Sequence, residues 1–144
     1  MKKLVSIFLV SAVLINGVVF PAQAFAAEDA PGALVIAYYF HGTRRCPTCH
    51  KLEQYSKEAL ETNFKDELGS GKLEFKVVNV EDQGNEHYAN DYQLYTKSLI
   101  LSLVKDGQEI KWMNLDKIWE LVRDKYKFLD YVKSGVIDFL KEAK

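Results

Sequence analysis

Apolar and polar residues along the chain fall into blocks of two different periods. Residues 34–40 (Leu34, Val35, Ile36, Ala37, Tyr38, Tyr39, Phe40) form an unbroken apolar, β-branched and aromatic run between Gly32 and Gly42. Such a run predicts a strand buried on both faces. Pro47 then stands where a first helical residue is favoured. Leu52, Tyr55, Ala59, Phe64 and Leu68 follow at three- to five-residue spacing, which is one helix face, and Gly69 and Gly71 end it. Residues 73–80 alternate at first and then turn apolar, predicting a second strand. A short helix is predicted over 86–95, with Tyr88, Tyr92 and Tyr95 on one side, and a third strand over 99–104. Asp106-Gly107 is a two-residue hairpin signal leading into a strand over 109–112. From Leu115 the apolar positions recur at three and four. They predict one amphipathic helix, or two broken near 123–125, with Asn114 as the cap of its start.

The order is therefore β-α-β-α-β-β-α. Two crossovers of the βαβ type predict parallel pairing, and the hairpin adds an antiparallel edge strand. The expected fold class is α/β, a three-layer sandwich around a four-stranded mixed sheet. No internal repeat, low-complexity tract or second domain interrupts it.

The first residues have a different character. Lys2 and Lys3 precede an apolar stretch over 4–20, and Pro21-Ala22-Gln23-Ala24 supplies the small-x-small pattern of a signal-peptidase site. Ala24-Phe25-Ala26 is a second legal site. Residues 1–24 are thus expected to be a signal peptide, 25–32 a flexible lead and 33–144 the folded domain, in a periplasmic or extracellular protein. An uncleaved anchor is the alternative, since about 17 apolar residues lie at the lower edge of what spans a bilayer. Loss of residues 1–24 removes Lys2 and Lys3, leaving 17 basic against 20 acidic side chains, a net charge of −3. That surface has no polybasic footprint and argues against nucleic acid or anionic membrane as a partner.

Export changes how the two cysteines, Cys46 and Cys49, are read, because an oxidising compartment lets them pair. As a staple the bond would be weak: chain entropy gives ~2 kcal/mol for a four-residue ring against ~3 for fifteen. Its use is chemical. A buried strand, a short turn, Cys46-Pro47-Thr48-Cys49 opening a helix, and a hairpin before a terminal helix together resemble the thioredoxin superfamily over residues 34–144. A lone C-x-x-C is a weak signal, and its position between strand and helix makes it a specific one. At a helix start, free N–H groups and the dipole stabilise a Cys46 thiolate, and Arg44 and Arg45 are expected to add positive charge on the exposed side. The resemblance implies Cys46 as nucleophile, Cys49 as resolving thiol, protein thiols or disulfides as partners, and no bound cofactor or metal.

Residues 38–49 are also similar to a small group of exported proteins labelled nitrophenyl-compound nitroreductase subunit. That likeness implies a redox partner that passes electrons, because no Gly-rich turn opens a helix to hold a flavin or nicotinamide. Two features depart from the superfamily pattern. The proline that faces the thiols at the start of the strand before the hairpin is replaced, the position falling at Ser98 or Leu99. The carboxylate on the first strand gives way to Tyr39 and Phe40.

Other readings use the same residues. Cys46-Pro47-Thr48-Cys49-His50 is also a c-type haem attachment string, with Met113 as second axial ligand. His41, Cys46, Cys49 and His50 are four N/S ligands within ten residues, which would make the chain a non-catalytic module binding a metal or a protein. Adjacent Cys49 and His50 on a helix point ~100° apart, however. That leaves His50 as an exposed helix residue and His41 as a turn residue beside Cys46 that could modulate it.

Overall fold

A computed structural model of the chain describes residues 32–144. The expected signal peptide and nearly all of the lead lie outside the described residues. The elements are β1 (Ala33–His41), α1 (Pro47–Asn63), α2 (Lys65–Gly69), β2 (Leu73–Asn79), α3 (His87–Asp91), β3 (Ser98–Lys105), β4 (Gln108–Asn114), α4 (Ile118–Leu121) and α5 (Lys125–Glu142). The strands form one sheet in the order β2-β1-β3-β4. This is a thioredoxin-like α/β fold around a four-stranded mixed sheet.

One expectation about pairing is corrected. β1 and β2 are parallel, but β3 is antiparallel to β1, and β4 antiparallel to β3. The two connections differ in helix length. The 17 residues of α1 rise ~26 Å, enough to carry the chain back along a seven-residue strand of ~24 Å. The five residues of α3 rise only ~8 Å. The chain therefore enters β3 at the end where β2 left off and runs the other way.

β1 is apolar throughout because both its faces are covered. Val35, Ala37 and Tyr39 face the main core with Leu99 and Leu101, against Leu52 of α1 and Phe128 and Val132 of α5. Phe40 and its neighbour Tyr38 face a second, mostly aromatic cluster with Ile100, Tyr88, Tyr92 and Trp112. This alternation is the period of two that a pleated strand imposes. On the second face the Tyr92 hydroxyl donates to Glu109 at 2.6 Å, and the buried Ser102 hydroxyl donates to the same carboxylate. Burial and that carboxylate push the Tyr92 phenol up.

Helix ends differ from the periodicity in instructive ways. The predicted helix through Leu68 breaks at Phe64, whose backbone leaves helical geometry (φ −135°, ψ 40°) as its ring enters the core. The helix expected over 86–95 spans only 87–91, and Gln93 at φ 51° turns the chain out of it. Asn114 ends β4 and caps nothing. The last helix is broken within 122–124, and the carboxylate of Asp124 accepts from the Lys127 N–H at 3.2 Å to cap α5. Asp106 and Gly107, at φ 51° and 77°, form the hairpin turn that their identities predict.

Candidate functional site

The C-terminal end of β1 and the N-terminal end of α1 meet across residues 42–46, and the two cysteines stand at this junction. Cys46 is the N-cap of α1 (φ −89°, ψ 165°), and Pro47 is its first helical residue. The Cys46 Sγ accepts from the Cys49 N–H at 3.2 Å, so one of the helix's free donors is aimed at that sulfur. No acidic residue occupies the first turn to oppose the dipole. Cys46 is exposed, Cys49 is 2% exposed on the core side of α1, and the two sulfurs are bonded with a Cα–Cα distance of 5.1 Å. A partner's sulfur therefore reaches one end of this bond only.

The turn before Cys46 is tied to the sheet. Glu81 accepts from the Thr43 N–H at 3.0 Å, and Asn79 donates to the Thr43 hydroxyl at 3.2 Å. The donors from Thr43 hold the Glu81 carboxyl below its ordinary range. Gly42 is needed for this approach: a Cβ there would stand 2.5 Å from the Glu81 Oε1.

Beneath the helix start, the fully buried Tyr39 donates its hydroxyl to the Cys49 carbonyl at 2.7 Å. Burial pushes the Tyr39 phenol up to about 12, with Arg45 pulling the other way. Arg45 itself corrects an expectation. It does not stand as free charge on the exposed side. Its side chain is one-fifth exposed, its guanidinium pairs with Glu53 of α1, and it lies 5.9 Å from the centre of the Tyr39 ring. Arg44 is the exposed cation of the two.

The strip facing the disulfide is also displaced from the predicted position. Ser98 is buried with its hydroxyl turned back to the Thr96 carbonyl at 3.0 Å, and Leu99 lies wholly in the core. Thr96 and Lys97, two residues earlier, line the groove with Arg44, Arg45, Cys46, Cys49 and Trp119. Trp119 fixes this strip by donating its indole N–H to the Lys97 carbonyl at 2.8 Å. Every peptide bond among the described residues is trans.

The remaining candidates are scattered. The His41 ring meets the Gly42 carbonyl at 2.9 Å and lines a separate concavity with Glu81 and Tyr95. His50 is exposed on α1. Among the described residues, no three His, Cys, Asp or Glu side chains converge as a metal site would require. Met113 sits on edge strand β4 opposite Leu101, two strands away from the one that leads into the haem-like string. Glu53 had a legible signal that sequence reasoning passed over: it lies four residues beyond Cys49, the spacing that brings helical side chains to one face.

No protein-family model matches the chain, and no curated protein matches it. Among solved structures, thioredoxin from Fasciola hepatica is similar at 16% identity, covering 77% of this chain and 82% of that one, with a TM-score of 0.42. A malarial protein is 15% identical over 64% of this chain and 97% of its own, with a TM-score of 0.38. The reduced thioredoxin pre-protein of Schistosoma mansoni is 17% identical over 69% and 82%, with a TM-score of 0.36. The fold assignment rests on the strand order and pairing of the chain itself.

Proposed function

We propose that the chain is an exported thiol–disulfide oxidoreductase, or the redox-partner protein of one, working through Cys46 and Cys49. One observation supports this above the others. The accessible sulfur is the one that caps α1 and receives the Cys49 N–H at 3.2 Å, and its partner sulfur is buried behind it. In the reduced state the N-terminal donors of α1 favour the Cys46 thiolate over the thiol. That thiolate attacks one sulfur of a partner's disulfide, forming a mixed disulfide and releasing the partner's other sulfur as a thiolate. Cys49 then loses its proton and attacks the Cys46 sulfur. The Cys46–Cys49 bond closes, and the partner leaves with two electrons more than it brought. The reverse sequence oxidises a partner dithiol.

Protein thiols and disulfides fit an open groove with a mixed polar and apolar lining. The resemblance of residues 38–49 to the exported nitroreductase-subunit group makes an electron-passing partner the finer form of the reading. Among the described residues no helix is long and apolar enough to cross a membrane. The leader pattern over 1–24 supports export, and N-terminal sequencing of protein recovered from the cell envelope or medium tests it, with Phe25 or Ala27 as the expected first residue.

The main test is a pair of variants assayed for insulin reduction with a small dithiol as electron source. Cys46→Ser should abolish turnover and trap no mixed disulfide, whereas Cys49→Ser should accumulate one through Cys46. Turnover by Cys46→Ser at the wild-type rate ends the exchange reading and leaves a binding module.

A further inference from the structure

Arg45, which lines the groove of the exposed sulfur, has one partner too few. Arg45 gives one nitrogen to Glu53, yet its Nε is buried with no hydrogen-bond partner among the described residues. A buried donor left unmade carries its full desolvation cost, and a redox role is one of the explanations that such a donor calls for. The side chain lines the same groove as Cys46 and Cys49, and the neutral disulfide offers it no anion. Reduction would. We propose that Arg45 is a shared cation, held by Glu53 while the disulfide is closed and turned toward the Cys46 sulfur when it opens, so that Glu53 limits the stability of the reduced form. The inference rests on the exchange reading above and makes both side chains positioning residues.

The chemistry balances as follows. A donor dithiol supplies two electrons and two protons, the Cys46–Cys49 bond breaks, and the donor's own disulfide forms. Cys49 keeps one proton, and Cys46 yields the other to solvent. The new anion at Cys46 then competes with the Glu53 carboxylate for one guanidinium through charge-assisted hydrogen bonds. The other charged or titratable groups at this junction are Arg44 and Lys97 along the groove and Tyr39 beneath it. None of them pairs with Glu53.

The test is the redox equilibrium of the full chain with glutathione, together with the ultraviolet absorbance titration of the Cys46 thiolate. Glu53→Gln should shift the equilibrium toward the reduced protein roughly tenfold, about 30 mV upward for a two-electron couple. Arg45→Met should shift it about as far the other way, and Arg45→Lys, which keeps the charge without the fork, should fall between Arg45→Met and wild type. The double variant decides the matter. If Glu53 acts through Arg45, adding Glu53→Gln to Arg45→Met changes nothing further.

A Glu53→Gln shift that persists undiminished without the arginine overturns the proposal, as does a Glu53→Gln protein within twofold of wild type. Should Arg45→Met fail to fold, Arg45→Gln, which also removes the charge, carries the same cycle. The exchange reading fails differently: a wild type that equilibrates with glutathione but does not reduce insulin disproves that reading while leaving the ordering of these variants to be read.

Discussion

Tyr39→Phe removes a single hydroxyl from the floor of the site, and its cost should shrink as pH rises. The hydroxyl is fully buried and donates to the Cys49 carbonyl at 2.7 Å. At about pH 8 its loss should cost the oxidised protein about 1 kcal/mol, the net worth of one buried hydrogen bond. Alkaline pH introduces an opposing contribution. Burial raises the Tyr39 phenol from 10.0 to about 12, so as pH climbs past the unfolded value the unfolded chain releases this proton while the native chain keeps it. The native state then binds more protons than the unfolded state, and stability falls with pH. At about pH 11 the wild type should have lost on the order of 1 kcal/mol on this account. Phenylalanine has no proton to lose.

The wild-type advantage of about 1 kcal/mol should therefore shrink toward zero near pH 11, and every other titrating group cancels between the two proteins. Urea unfolding of the oxidised forms at both pH values measures the gap directly. A gap of equal size at the two would refute the claim that this phenol is held neutral by the fold.

Two further predictions concern the core and the groove. Phe128→Ala empties a fully buried position whose ring meets Tyr55 edge-on at 5.6 Å, so it should cost about 3–5 kcal/mol, read as a lower urea midpoint with unchanged slope. Trp119→Phe removes the 2.8 Å bond to the Lys97 carbonyl, costing about 1 kcal/mol of stability. It should also raise KM for a protein disulfide more than it changes kcat, and kinetic constants equal to wild type would remove Trp119 from any role in shaping the groove.

The elements were legible where local pattern and tertiary demand agree. The apolar run over 34–40 could be nothing but a doubly covered strand, and Asp106-Gly107 could hardly be anything but a hairpin turn. Pro47 and the cysteine before it marked the start of α1, and the structure makes Cys46 the N-cap. What could not be read was the direction of β3, because periodicity says where a helix lies but not whether it is long enough to return the chain across a sheet. The groove strip was misplaced by two residues although β3 begins at Ser98 as counted: Ser98 and Leu99 are buried, and the loop residues before them, held by the Trp119 bond to Lys97, line the groove. The role of Arg45 was hidden because an ion pair across eight residues depends on how a loop folds back on a helix. Glu53 had the spacing to be suspected, but only the placement of Arg45 gave it a partner.

Among the described residues the order β2-β1-β3-β4 leaves β2 and β4 with unpaired outer edges, and such edges invite pairing with another chain. Here each edge strand carries a charged pair. β2 carries the Lys76–Glu74 pair at 2.7 Å. On β4, Lys111 reaches Glu142 at 2.6 Å across the end of α5, and the β3–β4 ladder shifts register between Leu103 and Val104, where Ile110 is the extra residue on β4. Val77 on β2 and Ile110 and Met113 on β4 stay exposed beside those charges, so the rim of the sheet is apolar as well as charged. The exposed Cys46 stands apart from both edges, where β1 runs into α1.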